Sequence, residues 1–506
     1  NVVGVSPDGK YAYMPAFFGD GLGTGPRYSL MRISLANPIR PRLSFAGKPR
    51  SADFLLDADG KALVHEYFDD NGERHVIAAR RGKEWKEIYA LDSRLPEIAM
   101  VGLTRDYGAV VVSRYDEESR RRSYYTMSLD DGEITGRLFG RDDADVGSVL
   151  TDINRVVHGA RYSGFTPSYE FLDAGITDRL AGIARMVAGN SVWLIDWTRD
   201  WSSLVVYVEG PAFSGQYFVL EEGAEPLLIA NARPGFDDDT IHPVAEYSYT
   251  AADGLRIPTL LTIPRDRIDD IRDLPAVLLP HGGPASHDTV GFDWFAQGLA
   301  DEGYLVIQPQ FRGSTGFGLD HYVAGHGEWG RKMQSDLGDG LEALVARGYV
   351  DPARVCIVGM SYGGYAALAG GAFQPDLFRC VVAINGVSDL NRMVAHDAYW
   401  SGDDRTTKAY LARTLGGELD RKYLDSISPS EHGEAFTVPV LLIHGEDDEI
   451  VPIDQSRRMR SSLERAGKDV SFIELPDGSH GLQSYENRVR VMHETVDFVN
   501  RHLAGM

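Results

Sequence analysis

Cysteine is almost absent from this chain: Cys356 and Cys380 are the two in 506 residues. That excludes a small disulfide-stapled scaffold, and nothing clusters with the Cys/His spacing that zinc requires. Both cysteines sit beside apolar, strand-like runs and read as buried thiols, which leaves the compartment open between cytoplasm and periplasm. Long apolar runs are missing too, so no segment approaches membrane-spanning length. Basic charge is short, 51 Lys and Arg against 74 Asp and Glu, for a net −23. Such a surplus argues against nucleic acid or an anionic membrane as the main partner. No basic-then-apolar leader follows Asn1, so the chain is processed, truncated or without a signal. What is present is an ordinary globular composition, 43% hydrophobic and 25% charged, in a length that suits two large or three average domains.

Residues 1–240 read as all-β. Short alternating apolar runs are broken by Asp-Gly, Asn-Gly and Gly-Pro turns. Thr104, Thr151 and Thr198 recur at a spacing of 47 (151 − 104 and 198 − 151), and each precedes a strand such as Ala109-Val-Val-Val112. Looser copies are Ser6-Pro-Asp-Gly-Lys10 and Asp57-Ala-Asp-Gly-Lys61. A period in the forties with several strands per unit predicts propeller-type blades, about five of them, fewer than a large ring needs, so the propeller is expected to be incomplete in this chain.

From about 241 the texture changes to strands alternating with helices, after a linker near Asn231–Asp239. Eight strand candidates begin with Glu246–Tyr249 and Thr259–Thr262 and end with Val440–Ile443 and Ser471–Glu474. Helices are expected at 293–302, 333–347, 362–372, 455–466 and 485–502. This predicts a doubly wound, mostly parallel eight-stranded sheet of the α/β-hydrolase kind over 241–506.

The chemistry concentrates after the fifth strand. Val355–Val358 runs into Gly359-Met-Ser-Tyr-Gly363 and then a helix former, the strand–turn–helix context that makes Gly-x-Ser-x-Gly a nucleophile elbow. Ser361 is thus the candidate nucleophile, and a serine hydroxyl needs a base. Chain order places the acid after a late strand and the histidine after the last one, which selects His480 in Pro476-Asp-Gly-Ser-His-Gly481. The acid lies in His444-Gly-Glu-Asp-Asp-Glu-Ile-Val451, where spacing leaves Asp447 and Asp448 both open. An oxyanion needs two aimed donors: the N–H of Tyr362, and that of Gly283 in the glycine loop His281-Gly-Gly-Pro284. His281 and His444 read as local structural groups. Tyr362, Val387, Trp400 and Val451 are the apolar side chains expected around a substrate residue. No cofactor or metal is expected.

Together, His281-Gly-Gly-Pro284, Phe311-Arg-Gly-Ser314, Gly359-Met-Ser-Tyr-Gly-Gly-Tyr365, His444-Gly-x-x-Asp448-x-x-Val-Pro452 and Gly478-Ser-His-Gly481 resemble the prolyl oligopeptidase family, nearest its acylaminoacyl-peptidase and dipeptidyl-peptidase-like branches. The resemblance covers roughly 245–506 and selects Asp448 over Asp447. It implies a serine peptidase acting on peptides, with a propeller that screens out large folded substrates. Ile450 stands where many members have an arginine, His281 where some have an oxyanion tyrosine, and the glutamate pair that binds a free amino terminus has no convincing match. The missing arginine keeps one alternative, an isopeptidase like those that open lasso peptides at a side-chain-to-main-chain amide; a carboxylesterase, which would use the same three residues, is another. Oligomeric state is not indicated.

Overall fold

The computed structural model describes residues 1–19, 26–69, 71–401 and 404–503. Among these, the amino-terminal part forms five antiparallel sheets in chain order. The first spans Gly4–Val5 to Asn37–Phe45, the second Ser51–Leu56 to Glu84–Leu91, and the third Ala99–Leu103 to Ile134–Phe139. The fourth has three strands, Val146–Thr151 to Ser168–Phe171, and the fifth runs from Ser191–Trp197 to Leu227–Asn231. The repeated polar turns each join the first and second strands of a sheet. In the third, Thr104 N donates to Ala109 O (3.0 Å) and Thr104 Oγ1 to Asp106 Oδ1 (2.6 Å).

Alternation along the strands explains how the first four sheets pack. Val110 and Val112 are buried against Leu55, Val64 and Ile77 of the second sheet. Val111, pointing the other way, is buried against Val157, Ala160 and Tyr162 of the fourth. Period-two side chains on one strand therefore serve two neighbouring interfaces. Each fully buried valine contributes roughly 1.5–3 kcal/mol relative to exposure.

Two features depart from the sequence expectations. A helix, α1 (Ala174–Met186), stands where the fourth sheet would have its fourth strand; Ile176, Leu180 and Ile183, spaced four and three apart, are its buried stripe. The chain also divides into compact units earlier than the change of texture at 240: one comprises 1–182 and 199–201, the other 183–198 and 202–506. The second unit takes in the fifth sheet, where Ser191 Oγ donates to Val290 O (2.7 Å) and Phe292 N to Glu209 Oε2 (3.0 Å).

That second unit carries the eight-stranded sheet. Its strands are β1 (Val244–Thr250), β2 (Arg256–Thr262), β3 (Leu274–Leu278), β4 (Leu305–Pro309), β5 (Val350–Met360), β6 (Cys380–Ile384), β7 (Val440–Gly445) and β8 (Val470–Leu475). Their spatial order is β1-β2-β4-β3-β5-β6-β7-β8, with β2 antiparallel to its neighbours and the rest parallel. Helices α2 (Trp294–Asp301), α4 (Lys332–Ala346), α5 (Tyr362–Phe373), α9 (Asp454–Arg465) and α10 (Tyr485–Leu503) meet the expected positions to within two residues, and α3 (Leu319–Val323) lies between the first two. The long segment after β6 contributes α6 (Leu390–Trp400), α7 (Arg405–Leu415) and α8 (Arg421–Ser426). Along β5, Val355 and Ile357 enter the core with α4 and α5, while Cys356 and Val358 enter the core with α2 and α10. None of the described helices is long and apolar enough to cross a membrane.

The cysteines need correction. Both are buried, but they form a disulfide, Cys356–Cys380. The 24-residue separation returns the chain to the same level of the adjacent parallel strand, so Cys356 and Cys380 face each other in register. Sequence spacing carries no sign of that alignment.

Phe311-Arg-Gly-Ser314 is anchored through a buried ion cluster. Arg312 is 3% exposed and Asp336, in α4, is fully buried. Arg312 Nε and Nη2 donate to the two Asp336 carboxylate oxygens (2.8 and 2.6 Å), and its backbone N donates to Oδ2 (2.9 Å). Asp253 accepts from Nη1 and Nη2 at 2.8 and 3.0 Å. Removing one partner strands a buried charge. Asp336→Ala is expected to lower unfolding free energy by about 3–5 kcal/mol, and Arg312→Met/Asp336→Leu by much less than the two single losses combined. Urea denaturation checks this, and additive losses would refute it.

Candidate active site

Ser361 joins β5 to α5 with φ 61° and ψ −120°. A non-glycine residue there costs of order 1–3 kcal/mol. The turn exists because its surroundings have no side chains: a Cβ on Gly359 would lie 2.2 Å from Gly363 O, and one on Gly363 would lie 2.2 Å from Pro280 O. Ser361 N donates to Ile384 O (2.9 Å), holding the elbow against the end of β6.

Three loops at the carboxyl end of the sheet meet there. His480, on the loop between β8 and α10, places Nε2 3.0 Å from Ser361 Oγ and Nδ1 2.7 Å from Asp448 Oδ2. Since Nδ1–H donates to the carboxylate, Nε2 accepts from the serine hydroxyl. The Asp448 side chain is fully buried, and its Oδ1 accepts from Ile450 N (2.9 Å) and Val451 N (2.8 Å). Asp447 is exposed. His444 braces the same turn: Nε2 donates to Val451 O (2.8 Å), Nδ1 accepts from Ser456 Oγ (2.7 Å), and burial pushes its pKa down.

Of the expected donors, Tyr362 opens α5, where the first N–H groups have no intrahelical acceptor and the helix dipole favours negative charge. Among the described residues no acceptor takes the Gly283 N–H. The loop lies against the nucleophile, since a Cβ on Gly282 would be 3.5 Å from Ser361 Cβ. The apolar group is split. Tyr362, Val387 and Val451 are buried in one core cluster, whereas Trp400 is 70% exposed, its ring beside His396 and Tyr399. Ile450 is 58% exposed. Among the described residues no group of three His, Cys, Asp or Glu side chains is arranged to hold a metal.

Sequence reasoning passed over Asn385, which directly follows β6. It is fully buried, with φ 48°. Its Oδ1 accepts from Gly445 N (2.9 Å) at the start of the acid loop, and its Nδ2 donates to His480 O (3.0 Å). One amide therefore ties the acid loop to the histidine loop. The available signal was a polar residue closing an otherwise apolar run, Cys380-Val-Val-Ala-Ile-Asn385. Asn385→Ala is expected to slow both turnover and fluorophosphonate labelling of Ser361 by about one to two orders of magnitude, since small misplacements of reacting groups are that costly. Wild-type labelling in a folded variant would refute the linkage.

A sequence profile of the prolyl oligopeptidase family matches residues 290–506. Dipeptidyl aminopeptidase BIII of Pseudoxanthomonas mexicana is 30% identical over 494 residues, 94% of this chain and 70% of that protein. Dipeptidyl peptidase family member 6 of Caenorhabditis elegans is 27% identical over 427 residues, 80% of this chain and 56% of its own. This chain therefore spans between about half and three quarters of the length of these relatives. Among solved structures, a Mycobacterium tuberculosis puromycin-hydrolyzing peptidase superposes with a TM-score of 0.77 at 19% identity, over 99% of this chain and 78% of that one, a likeness of fold. The family profile covers the elbow, the acid loop and the histidine loop, the aminopeptidase likeness runs through nearly the whole chain, and the chain belongs to the prolyl oligopeptidase family.

Proposed function

We propose that this chain is a serine peptidase that cleaves amide bonds of peptides or oligopeptides through an acyl-enzyme. The observation that carries the reading is the hydrogen-bonded line from Ser361 through His480 to a buried Asp448, at 3.0 and 2.7 Å, on a strained elbow. Ser361 Oγ attacks the carbonyl carbon while His480 Nε2 takes its proton. Asp448 holds the tautomer and stabilises the imidazolium. The Tyr362 and Gly283 N–H groups donate to the oxyanion. His480 then protonates the leaving amine, and water, activated by the same nitrogen, releases the acyl group.

The all-β region, residues 1–240 in this proposal, acts as a propeller-type screen that favours short or unfolded peptides, and residues 241–506 are the peptidase domain. Tyr362, Val387 and Val451 form the apolar wall beside the scissile residue and Trp400 its exposed margin, so a medium-to-large uncharged side chain is preferred there. Ile450 supports a second reading. An aliphatic side chain in place of an arginine grips an extended backbone less, and so accommodates the bulkier isopeptide linkage.

Ser361→Ala is expected to lower turnover by roughly three or more orders of magnitude with folding intact. Asp448→Asn should approach that loss, while Asp447→Asn should stay near wild type; the reverse order would assign the acid to Asp447. Mass spectrometry of products from linear, amino-blocked and side-chain-linked peptides, alongside the matching esters, separates the substrate classes. Hydrolysis of esters alone would overturn the peptidase reading, and exclusive opening of the side-chain link would establish the second one. In a series varying only the scissile side chain, preference for a charged residue would refute the apolar wall.

A further inference from the structure

His281 is a loop histidine with no part in the line from Ser361 to Asp448, yet its ring has a defined set of contacts. It stacks on Phe311 (centroids 4.4 Å apart, 20° between planes). Its Nδ1 is 2.7 Å from Gly282 O and its Nε2 is 2.9 Å from Ser314 Oγ. Ser314 is fully buried. A carbonyl only accepts, so Nδ1 carries the ring proton; the single Ser314 hydroxyl proton faces two acceptors, Nε2 and Phe311 O. Burial lowers the His281 pKa to about 4, so the ring is neutral at ordinary pH and this tautomer persists.

The carbonyl it holds belongs to the peptide that joins Gly282 to Gly283. In a trans peptide the C=O and N–H point in opposite directions. Fixing Gly282 O on the His281 side therefore fixes the Gly283 N–H on the other. Two consecutive glycines offer little resistance of their own to rotation of that peptide plane. The Gly282 end lies against Ser361, and no described acceptor takes the Gly283 N–H.

Building on the peptidase reading above, we infer that His281 is a positioning residue for the oxyanion: it locks the Gly282–Gly283 peptide so that the Gly283 N–H is already aimed where negative charge develops. Ser314, hydrogen-bonded to Nε2 and within reach of Phe311 O (2.7 Å), fixes the imidazole in turn. The catalytic serine, base and acid are untouched by this arrangement, so its contribution falls on the transition state and not on substrate affinity.

His281→Leu removes the anchor and His281→Asn returns a donor, Nδ2, close to where Nδ1 lies. His281→Leu is expected to lower kcat about tenfold to a hundredfold, somewhat less than the loss of a whole oxyanion donor, with KM nearly unchanged. Binding of a peptide boronic acid, which forms a tetrahedral adduct on Ser361, should weaken by the same factor. Affinity for the uncleaved peptide, measured in the Ser361→Ala background with and without His281→Leu, should not change. His281→Asn should recover most of the lost kcat, and Ser314→Ala should show a smaller loss of the same kind. Equal weakening of boronate and uncleaved peptide, wild-type kcat in His281→Leu, or a folded His281→Asn that recovers nothing would each overturn the assignment. A wild-type protein that neither hydrolyses the amide nor takes the boronate would overturn the peptidase reading and this inference together.

Discussion

Everything at the candidate site depends on how closely backbone meets backbone around residue 361. Gly359 and Gly363 touch across the elbow, Gly363 touches Pro280, and a Cβ on Gly364 would come 2.7 Å from Gly386 Cα. These contacts pull β5, α5, the 280–283 loop and the end of β6 to one point, and they exclude side chains from it. Ser361 is held in an unfavourable backbone conformation by that crowding, which leaves its hydroxyl free to face the histidine. The strain at one residue is small beside the buried apolar surface on both faces of the sheet that sustains it.

The three groups of the hydrogen-bonded line come from three separate strand exits, so their alignment is a property of the whole sheet. Backbone amides at Ile450 and Val451 hold one oxygen of Asp448 and leave the other for His480. Asn385 then links the two loops from beneath. The ion cluster of Arg312 with Asp336 and Asp253 stands behind the 311–314 turn, whose Ser314 meets His281. Polar groups that lie out of reach of substrate thus fix the positions of those within reach.

Much of this was legible beforehand, for identifiable reasons. A nucleophile elbow has a local signature because glycine is required on both sides of the serine, and alternation with a fixed period reveals strands. Chain order was enough to choose His480 from fourteen histidines. What stayed hidden depends on register or on long-range partners. The Cys356–Cys380 bond requires two parallel strands to be level. Asn385 looks like any polar residue at a strand end until the loops it joins are placed beside it. Helix α1 was missed although Ile176, Leu180 and Ile183 carry a helical period, because the flanking strands set the expectation. That Val387 and Val451 are buried while Trp400 is exposed reflects tertiary packing, which apolar character alone does not determine.

Helix α1 also bears on how the protein behaves among its own copies. An outermost strand ordinarily presents a row of unpaired amides that another chain can pair with. In the fourth sheet, the outer strand Ser168–Phe171 is short, and the amide of Phe171 is occupied by Thr177 Oγ1 of the helix that follows (2.9 Å). The long exposed strand Asn37–Phe45 instead carries Pro38 and Pro41, which have no amide to offer, with Arg40 and Arg42 between and beyond them. Two different devices, a helix folded back on an edge and a proline-and-charge strand, thereby guard these two edges against strand-to-strand aggregation.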